Sequence, residues 1–190
     1  MARLARAVFL DRDGTINREV DLLRDLRQLR LLPGAAGGIR ALNRMGYRVI
    51  VITNQPVVAR GWLTETQLRS IHGALEARLQ RRGARLDAIH YCPHHPHANL
   101  PKYRVRCRCR KPGTALIRRA ARELGIASGG SFMVGDSTRD ILAGRKAGLQ
   151  TILLATGYGG KDGRYSVQPD HRAADLASAA RLIGRLRRKR

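Results

Sequence analysis

The sequence predicts an α/β fold, in which a mainly parallel sheet is doubly wound with helices on both faces. Short apolar runs alternate with longer amphipathic stretches along the chain, and this alternation is typical of right-handed β-α-β crossovers. A length of 190 residues allows one well-packed domain but not two comfortable ones. We therefore predict a single domain over residues 1–190.

The predicted strands are short apolar runs that are partly β-branched. They cover residues 7–10, 47–53, 86–91, 131–135 and 150–155. The predicted helices cover residues 34–45, 64–82, 114–124, 138–147 and 172–188. Thr64 and Gln67 match a capping box at the start of the second helix, and glycines stand where three of the helices should end, at Gly46, Gly125 and Gly148.

The chain is strongly basic, with 37 Lys and Arg residues against 14 Asp and Glu residues and a net charge of +23. Such a balance suggests nucleic acid, an acidic surface or a phosphorylated substrate as partner, and composition alone does not choose among them. Aromatic residues are few, with two Phe, five Tyr and one Trp. This scarcity argues against a platform on which nucleic-acid bases would stack.

The sequence shows no targeting or membrane signal. Its first apolar run is short and is followed by two acids by residue 13, unlike a signal peptide. No stretch approaches the roughly 20 apolar residues of a membrane span. We expect a cytoplasmic protein with no membrane association. Because no face carries an obvious association stripe, we also expect a monomer.

A long segment without hydrophobic periodicity, residues 92–112, contains all three cysteines of the chain. A compact domain normally keeps such a loop only if it is functional or tied down. Cys92-x-His94 and Cys107-x-Cys109 supply three thiols and one imidazole, a closed tetrahedral set for a structural Zn²⁺. His95 and His97 compete with His94 for the fourth position.

Polar residues follow four of the predicted strands, at the edge of the sheet where ligands bind in such folds. The segments are DRDGT, TNQ, CPHH and GDSTRD. Asp11, Asp13 and Asp136 would converge there as oxygen ligands suited to Mg²⁺. A phosphoryl group could then lie between the cation, the Thr53 hydroxyl and the Lys111 ammonium.

These segments, in this order, resemble the four motifs of haloacid dehalogenase-superfamily phosphohydrolases. The resemblance implies that Asp11 is the nucleophile and forms an aspartyl phosphate. It implies that Asp13 is the general acid and base, and that Asp13 binds Mg²⁺ through its backbone carbonyl. Thr53 and Lys111 would stabilise the phosphoryl group, and Asp136 would complete the magnesium site. The role of Asp140 stays open.

Within that superfamily, nearly the whole chain resembles the D-glycero-D-manno-heptose-1,7-bisphosphate 7-phosphatases of the histidinol-phosphatase-like subfamily. The segments that carry this resemblance are FLDRDGTIN, VITNQ, ARGWLTE, YCPHHP, CRCRKP and MVGD. It implies a small-molecule sugar bisphosphate as substrate, in the synthesis of activated heptose for lipopolysaccharide or related surface glycans. It also implies catalytic Mg²⁺, the absence of a large cap domain, and a Zn²⁺-binding loop at residues 92–110 whose Cys-Pro-His spacing favours His94.

The same resemblance assigns residues to the substrate. Arg110 should help recognise the sugar phosphate, and Asn54 and Gln55 should line its site. A planar, permanently charged guanidinium suits the second phosphate, which the reaction leaves intact.

Two departures from the family bear on which sugar, or which anomer, is preferred. Pro56-Val57 stands where the family commonly has Ser-Gly after TNQ. The segment 19–23 lacks the aromatic residue or glycine often seen there. Glu19 and Asp21 are therefore candidate substrate-binding residues of a modified site.

Three other functions are weighed against this interpretation. The first is a histidinol-phosphate phosphatase, which shares the motifs and a similar zinc loop; ARGWLTE favours the heptose enzymes. The second is a polynucleotide 3′-phosphatase, and the third is a basic nucleic-acid-binding protein with an inactive scaffold. The charge of +23 gives the second some support, whereas competent residues at every catalytic position weaken the third. We do not expect nucleic acid to be the partner.

Overall fold

The computed structural model describes residues 4–188 and contains a six-stranded sheet in which every ladder is parallel. The strands are β1 (Ala7–Leu10), β2 (Arg48–Asn54), β3 (Ala88–Cys92), β4 (Phe132–Gly135), β5 (Gln150–Leu154) and β6 (His171–Ala173). Their order in the sheet is β3-β2-β1-β4-β5-β6. The predicted doubly wound parallel α/β fold is confirmed.

Helices cover both faces of this sheet. They are α1 (Ala35–Arg44), the short α2 (Pro56–Ala59), α3 (Glu65–Gln80), α4 (Ala115–Glu123), α5 (Thr138–Lys146) and α6 (Leu176–Arg188). The predicted capping box opens α3, because the Gln67 amide donates to Thr64 Oγ1 at 3.1 Å and the Thr64 amide donates to Gln67 Oε1 at 2.8 Å. Within residues 4–188, no helix has the length and apolar character that crossing a membrane requires.

The alternation of side chains along β1 divides the interior into two cores. Val8 and Leu10 belong to the core that includes residues of α1, α3 and α6, whereas Ala7 and Phe9 belong to the core that includes residues of α4 and α5. All four side chains are fully buried. Both faces of the strand are therefore covered, as parallel sheets require, and its continuous apolar run is explained.

One sequence prediction is wrong at its boundary. Residues 171–173 form the edge strand β6, in parallel register with Ile152–Leu154, where the sequence pattern indicated the start of the last helix. That helix begins at Leu176, and Asp175 accepts a hydrogen bond from the Ser178 amide at 2.7 Å. An edge strand of three residues is too short to show a period, and the aspartate is the stronger boundary signal.

The strand order places the polar segments of the sequence together. β1 and β4 are neighbours at the centre of the sheet, and the chain order reverses between them. Ligands of such sheets bind at the carboxyl ends of the strands beside this reversal. Asp11 follows β1 and Asp136 follows β4, so these two carboxylates meet at that point.

Candidate active site

Three carboxylates converge beyond β1 and β4 and form what we call the carboxylate cluster: Asp11, Asp136 and Asp140. Their nearest oxygens all lie within 4.8 Å of one another. The Lys111 ammonium lies 2.8 Å from Asp11 Oδ1 and 2.7 Å from Asp140 Oδ1. Asp140, whose role the sequence left open, is thus the second partner of the lysine.

The electrostatics of this cluster favour a cation. Burial raises the pKa of Asp136 to about 8, and the carboxylates of Asp11 and Asp140 add to the effect. Burial also raises the pKa of Asp11 to about 6, although Lys111 opposes the rise. Burial would lower the pKa of Lys111, but its two carboxylate neighbours outweigh that effect and raise it.

Two buried acids and one partly buried acid share one lysine, which leaves excess negative charge, and the donor set is entirely carboxylate oxygen. Mg²⁺ is a hard cation that takes such ligands, and its charge would oppose both the burial and the repulsion that raise the two aspartate pKa values. The residues present therefore fit the magnesium ion that the family implies.

Asp136 is held by a close approach of two loops. The Tyr158 amide donates to Asp136 Oδ2 at 2.7 Å. A Cβ atom at Gly14 or at Gly157 would overlap the Asp136 carboxylate, so both positions require glycine. The Thr156 hydroxyl donates to the Gly14 carbonyl at 2.6 Å and joins the loop after β5 to the DRDGT turn.

Lys111 is positioned by a pair of hydrogen bonds from Asn54, the last residue of β2. The Asn54 side chain donates from Nδ2 to the Lys111 carbonyl at 3.1 Å and accepts from the Lys111 amide at 2.9 Å. Asn54 lines the active-site cavity, as the sequence predicts for a substrate-binding residue. Its amide, however, is engaged in holding the backbone of the lysine.

The Asp13 carboxylate is not part of the carboxylate cluster. It accepts hydrogen bonds from Arg12, from Asn17 Nδ2 at 2.8 Å and from Gln55 Nε2 at 2.9 Å. Burial would raise the pKa of Asp13, but the Arg12 guanidinium and these hydrogen bonds hold it below its usual value. Gln55 also donates to the Thr53 hydroxyl at 2.8 Å, so one amide joins the two predicted catalytic side chains.

The cavity beside these residues is lined by both acidic and basic side chains. Its acidic side chains are Asp11, Asp13, Glu19, Asp21 and Asp140. Its basic side chains are Arg60, Arg110, Lys111, Arg139 and Arg164. Burial, followed by the charges of Asp13 and Asp11, raises the pKa of Glu19 to about 7.

Three of the arginines form what we call the arginine rim: Arg110, Arg139 and Arg164. Burial lowers the pKa of Arg110, and the positive charges of Arg139 and Arg164 lower it further. Among residues 4–188, none of the three forms a salt bridge with a carboxylate. Burial would lower the pKa of Arg139, but Asp140, Asp11 and Asp162 are near enough to raise it. Neighbouring guanidiniums with no carboxylate in direct contact still favour an anion in the cavity.

The predicted zinc ligands do come together in the loop, and we call them the thiol cluster: Cys92, His94, Cys107 and Cys109. Cys109 Sγ lies 3.0 Å from Cys107 Sγ, 3.1 Å from Cys92 Sγ and 3.3 Å from His94 Nδ1. The hydrogen bond between Cys109 and Cys92 lowers the pKa of Cys109 to about 5. Three sulfurs and one imidazole nitrogen at this spacing, one of them readily a thiolate, fit a tetrahedral Zn²⁺.

The other two histidines of the loop lie outside this cluster. His95 lines the active-site cavity, and His97 is exposed. The structure therefore selects His94 from the three alternatives. The loop also has an anchor that needs no metal. The Tyr103 hydroxyl of the loop donates to Glu65 at the start of α3 at 2.8 Å, and the Tyr91 hydroxyl of β3 donates to the same carboxylate at 2.7 Å.

Several residues of the site were not found by sequence reasoning. Arg139 stands beside Asp140 in GDSTRD, where its charge gives a weak signal. Arg164 and Tyr158 belong to a glycine-rich stretch after β5 that carries no motif. Arg12 stands between two aspartates in the sequence, where a basic residue is expected to be exposed to solvent, yet its side chain is fully buried.

Comparisons with known proteins agree with this geometry. Residues 108–179 match the family model Hydrolase_like, which is described as HAD-hydrolase-like. A D-glycero-beta-D-manno-heptose-1,7-bisphosphate 7-phosphatase of Rhodopseudomonas palustris is 43% identical over 143 residues, which is 75% of this chain and 79% of the relative. The enzyme of the same name from Pasteurella multocida is 38% identical over 155 residues, 81% of this chain and 84% of the relative.

A solved structure shares the fold over nearly its full length. It is the D,D-heptose 1,7-bisphosphate phosphatase of B. bronchiseptica complexed with magnesium and phosphate. The TM-score is 0.85 and the identity 32%, covering 95% of this chain and 99% of the other.

Proposed function

Because the chain belongs to the family of D-glycero-β-D-manno-heptose-1,7-bisphosphate 7-phosphatases, which are haloacid dehalogenase-like phosphoric monoester hydrolases, we propose that it removes the C7 phosphate of this heptose bisphosphate. The observation that supports the proposal most is the convergence of Asp11 and Lys111 with the arginine rim on one cavity, with Asp136 beside Asp11. Relatives named for the β anomer lead us to propose the β-bisphosphate as the preferred substrate.

In the first step, the Asp11 carboxylate attacks phosphorus and forms an aspartyl phosphate while the bond to the sugar oxygen breaks. Asp13 must carry a proton in this step, although Arg12 and its other hydrogen-bond donors favour the carboxylate, and it gives that proton to the departing oxygen. In the second step it takes a proton from the water that hydrolyses the intermediate. Asp11 is poised for attack because Lys111, 2.8 Å away, keeps part of its charge balanced. Thr53 and Lys111 line the cavity and donate to the phosphoryl oxygens.

Asp11, Asp136 and the backbone carbonyl of Asp13 would hold the Mg²⁺. The ion would supply positive charge that neutralises the phosphoryl oxygens and the carboxylates around them. Asp140 fixes Lys111 from the opposite side, and its second oxygen accepts from the Ser137 amide and hydroxyl at 3.1 Å and 2.8 Å. It thereby joins the lysine to the start of α5.

The second phosphate of the substrate would lie against the arginine rim. A bisphosphate would bring negative charge into direct contact with these guanidiniums, none of which forms a salt bridge with a carboxylate within residues 4–188. Arg110 is expected to make the strongest contact, because its position is fixed by the neighbouring loop and its Nη1 donates to the His94 carbonyl at 3.3 Å.

The thiol cluster is proposed to hold a structural Zn²⁺. Its four donors fill a tetrahedron, which leaves no position for water or substrate. The ion would fix residues 92–109, and so the placement of His95 and Arg110 at the cavity. Glu19 and Asp21 are proposed to contact the sugar hydroxyls, since both line the same cavity.

We further propose that the protein acts as a monomer in the cytoplasm, in the synthesis of activated heptose for surface glycans. Sedimentation of the purified protein checks the first point. A mass near 21.1 kDa is expected, and a mass of twice that value contradicts it.

Phosphate release tests the substrate directly. The panel contains the α- and β-heptose 1,7-bisphosphates, histidinol phosphate and a 3′-phosphorylated DNA oligonucleotide, each with Mg²⁺. The proposal predicts the highest kcat/KM for the β-bisphosphate. Higher kcat/KM for histidinol phosphate or for DNA would replace the proposal with one of the two rival phosphatases, and weak DNA binding even at low salt would remove every nucleic-acid function.

A further inference from the structure

Arg12 lies between Asp11 and Asp13 in the sequence, but its side chain points inward and is 0% exposed. A guanidinium without solvent is costly unless it is paired with a charge and its hydrogen bonds are satisfied. All of the side-chain hydrogen bonds that Arg12 makes within residues 4–188 go to two residues, Asp13 and His72. The buried guanidinium therefore bonds to one carboxylate and one imidazole.

The contact with Asp13 is a fork. Arg12 Nη2 lies 2.8 Å from both carboxylate oxygens of Asp13, and Nε lies 3.1 Å from Oδ1. Several donors of one planar group on one carboxylate restrict the rotation of that carboxylate far more than a single donor does. The Asp13 side chain keeps 19% of its surface exposed, so one side of it still faces the cavity.

His72 holds the guanidinium from the other side. Its Nε2 lies 3.2 Å from Arg12 Nη1, and because a guanidinium only donates, this nitrogen must accept. His72 belongs to α3, is 5% exposed and packs against the ring of Tyr91 in β3 at 5.5 Å between centroids. The imidazole is therefore neutral, and it fixes Arg12 to a helix outside the catalytic turn.

We propose that Arg12 is a positioning residue for the proton transfers of Asp13, with His72 as the support that fixes the guanidinium. This inference rests on the proposed phosphatase function, because the orientation of Asp13 matters only where that carboxyl passes a proton to the departing oxygen. A general acid must lie within hydrogen-bond reach of that oxygen, and a carboxyl that rotates freely spends less time there. The fork from Arg12 removes that freedom.

The experiment compares Arg12→Lys, Asp13→Asn and the double variant on two substrates with Mg²⁺. Glycerol 2-phosphate releases an alkoxide that needs a proton, whereas p-nitrophenyl phosphate releases a phenolate that does not. The quantity measured is kcat/KM, which covers only the steps up to departure of the leaving group. Circular dichroism and thermal melting check that each variant is folded.

Arg12→Lys keeps the charge but loses the fork, so it should lower kcat/KM for glycerol 2-phosphate about 10–100-fold and for p-nitrophenyl phosphate less than about threefold. Asp13→Asn should show the same selectivity with a larger loss. The double variant should lie within about threefold of Asp13→Asn, because Arg12 acts through Asp13. Equal losses on the two substrates, or losses that multiply in the double variant, would overturn the proposal.

The His72 variants decide the question if Arg12→Lys does not fold. His72→Gln keeps an acceptor for Arg12, and His72→Leu removes it. We expect His72→Leu to lower kcat/KM for glycerol 2-phosphate by roughly 3–10-fold with little change for p-nitrophenyl phosphate, and His72→Gln to restore it. Two His72 variants that behave alike on both substrates would contradict the role of His72.

Failure of the proposed function gives a different result. A wild-type enzyme that ignores heptose bisphosphate but hydrolyses glycerol 2-phosphate would refute the substrate and leave this comparison intact. A wild type for which Asp13→Asn changes neither substrate would refute the proton transfer itself, and the role of Arg12 with it.

Discussion

The carboxylate cluster and the thiol cluster lie at the same edge of the sheet, but their charges are balanced in opposite ways. In the carboxylate cluster, three acids share one lysine, and the Asp11 side chain keeps 15% of its surface exposed toward the cavity. In the thiol cluster, four donors face one another within a single loop. The first arrangement leaves charge unsatisfied until an ion and a substrate arrive, and the second is complete with one ion.

The two clusters also differ in what supports them. The carboxylates are fixed by the ends of β1 and β4, which lie at the centre of the sheet. The thiol cluster depends on the loop after β3, and the Tyr103 hydroxyl joins that loop to Glu65 of α3. Because of this difference, we expect changes in the carboxylate cluster to reduce activity and changes in the thiol cluster to reduce stability.

The largest expected effect is the loss of turnover in Asp11→Asn. This change removes the attacking carboxylate while nearly preserving its shape, and it relieves repulsion from Asp136 and Asp140. We expect kcat to fall on the order of 10⁴-fold or more, with Tm within about 2 °C of wild type. Phosphate release and calorimetry measure the two quantities.

Asp25→Asn is the matched control, because Asp25 is a partly exposed aspartate whose one salt-bridge partner within residues 4–188 is Arg27. It should keep full activity. Near-normal turnover by Asp11→Asn would remove the assignment of the nucleophile, and a collapse of its Tm would show that the carboxylate cluster is structural.

The opposite effect is expected from Cys107→Ser in the thiol cluster. Loss of one zinc ligand should destabilise the fold by about 2–4 kcal/mol, which lowers Tm by roughly 5–15 °C. We expect kcat to stay within about tenfold, because Asn54 holds Lys111 by two hydrogen bonds that do not involve the loop metal.

Metal analysis and calorimetry of this variant provide the check. His97→Gln is the control, since His97 is an exposed histidine of the same loop, and it should leave Tm and about one zinc per chain unchanged. Wild-type protein that is fully folded without zinc would contradict the structural role of the cluster.

A smaller and more selective effect is expected at the arginine rim. Arg110→Met keeps much of the side-chain volume and removes the charge, so KM for the bisphosphate should rise about 10–100-fold. KM for p-nitrophenyl phosphate, which has no second phosphate, should change less than about threefold. Arg119→Met on the exposed face of α4 is the control. Equal changes for both substrates would show that Arg110 does not bind the second phosphate.

The smallest effect is expected at Asp21, which has φ of 63° and is the one non-glycine residue with a positive φ within residues 4–188. This left-handed conformation favours glycine. Asp21→Gly should therefore change the free energy of unfolding by no more than about 1 kcal/mol. If Asp21 also contacts the sugar, KM for the heptose bisphosphate should rise, and denaturation together with kinetics separates the two effects. A large destabilisation would show that Asp21 has a structural partner.

The sequence predicts the central parts of this molecule well, because their signals are local and in order. β1 and β4 are apolar runs, and a polar motif follows each of them directly. The spacing of Cys92 and Cys107 is a strong pattern by itself. Two of the three residues of β6 were predicted to be helical, because a strand of three residues is too short to show a period. Arg12 was missed because burial of a charged residue depends on partners, and His72 is 60 residues away.

Hydrogen bonds that no sequence motif reveals also refine the roles of individual residues in the predicted segments. Asn54 and Gln55 were expected to touch substrate, and both line the cavity. Their amides, however, also hold Lys111, Thr53 and Asp13 in place. Such bonds join segments about 40 to 60 positions apart, and only the folded sheet brings them together.

The most direct test of the proposed activity is the identity of the phosphate that is removed. ³¹P NMR of the β-heptose 1,7-bisphosphate with wild-type enzyme and Mg²⁺ resolves the two phosphates of the substrate and free inorganic phosphate. If the carboxylate cluster hydrolyses one phosphate while the arginine rim holds the other, the C7 resonance should disappear and inorganic phosphate should appear. The C1 resonance should remain. Loss of the C1 resonance, or loss of both at equal rates, would contradict this account.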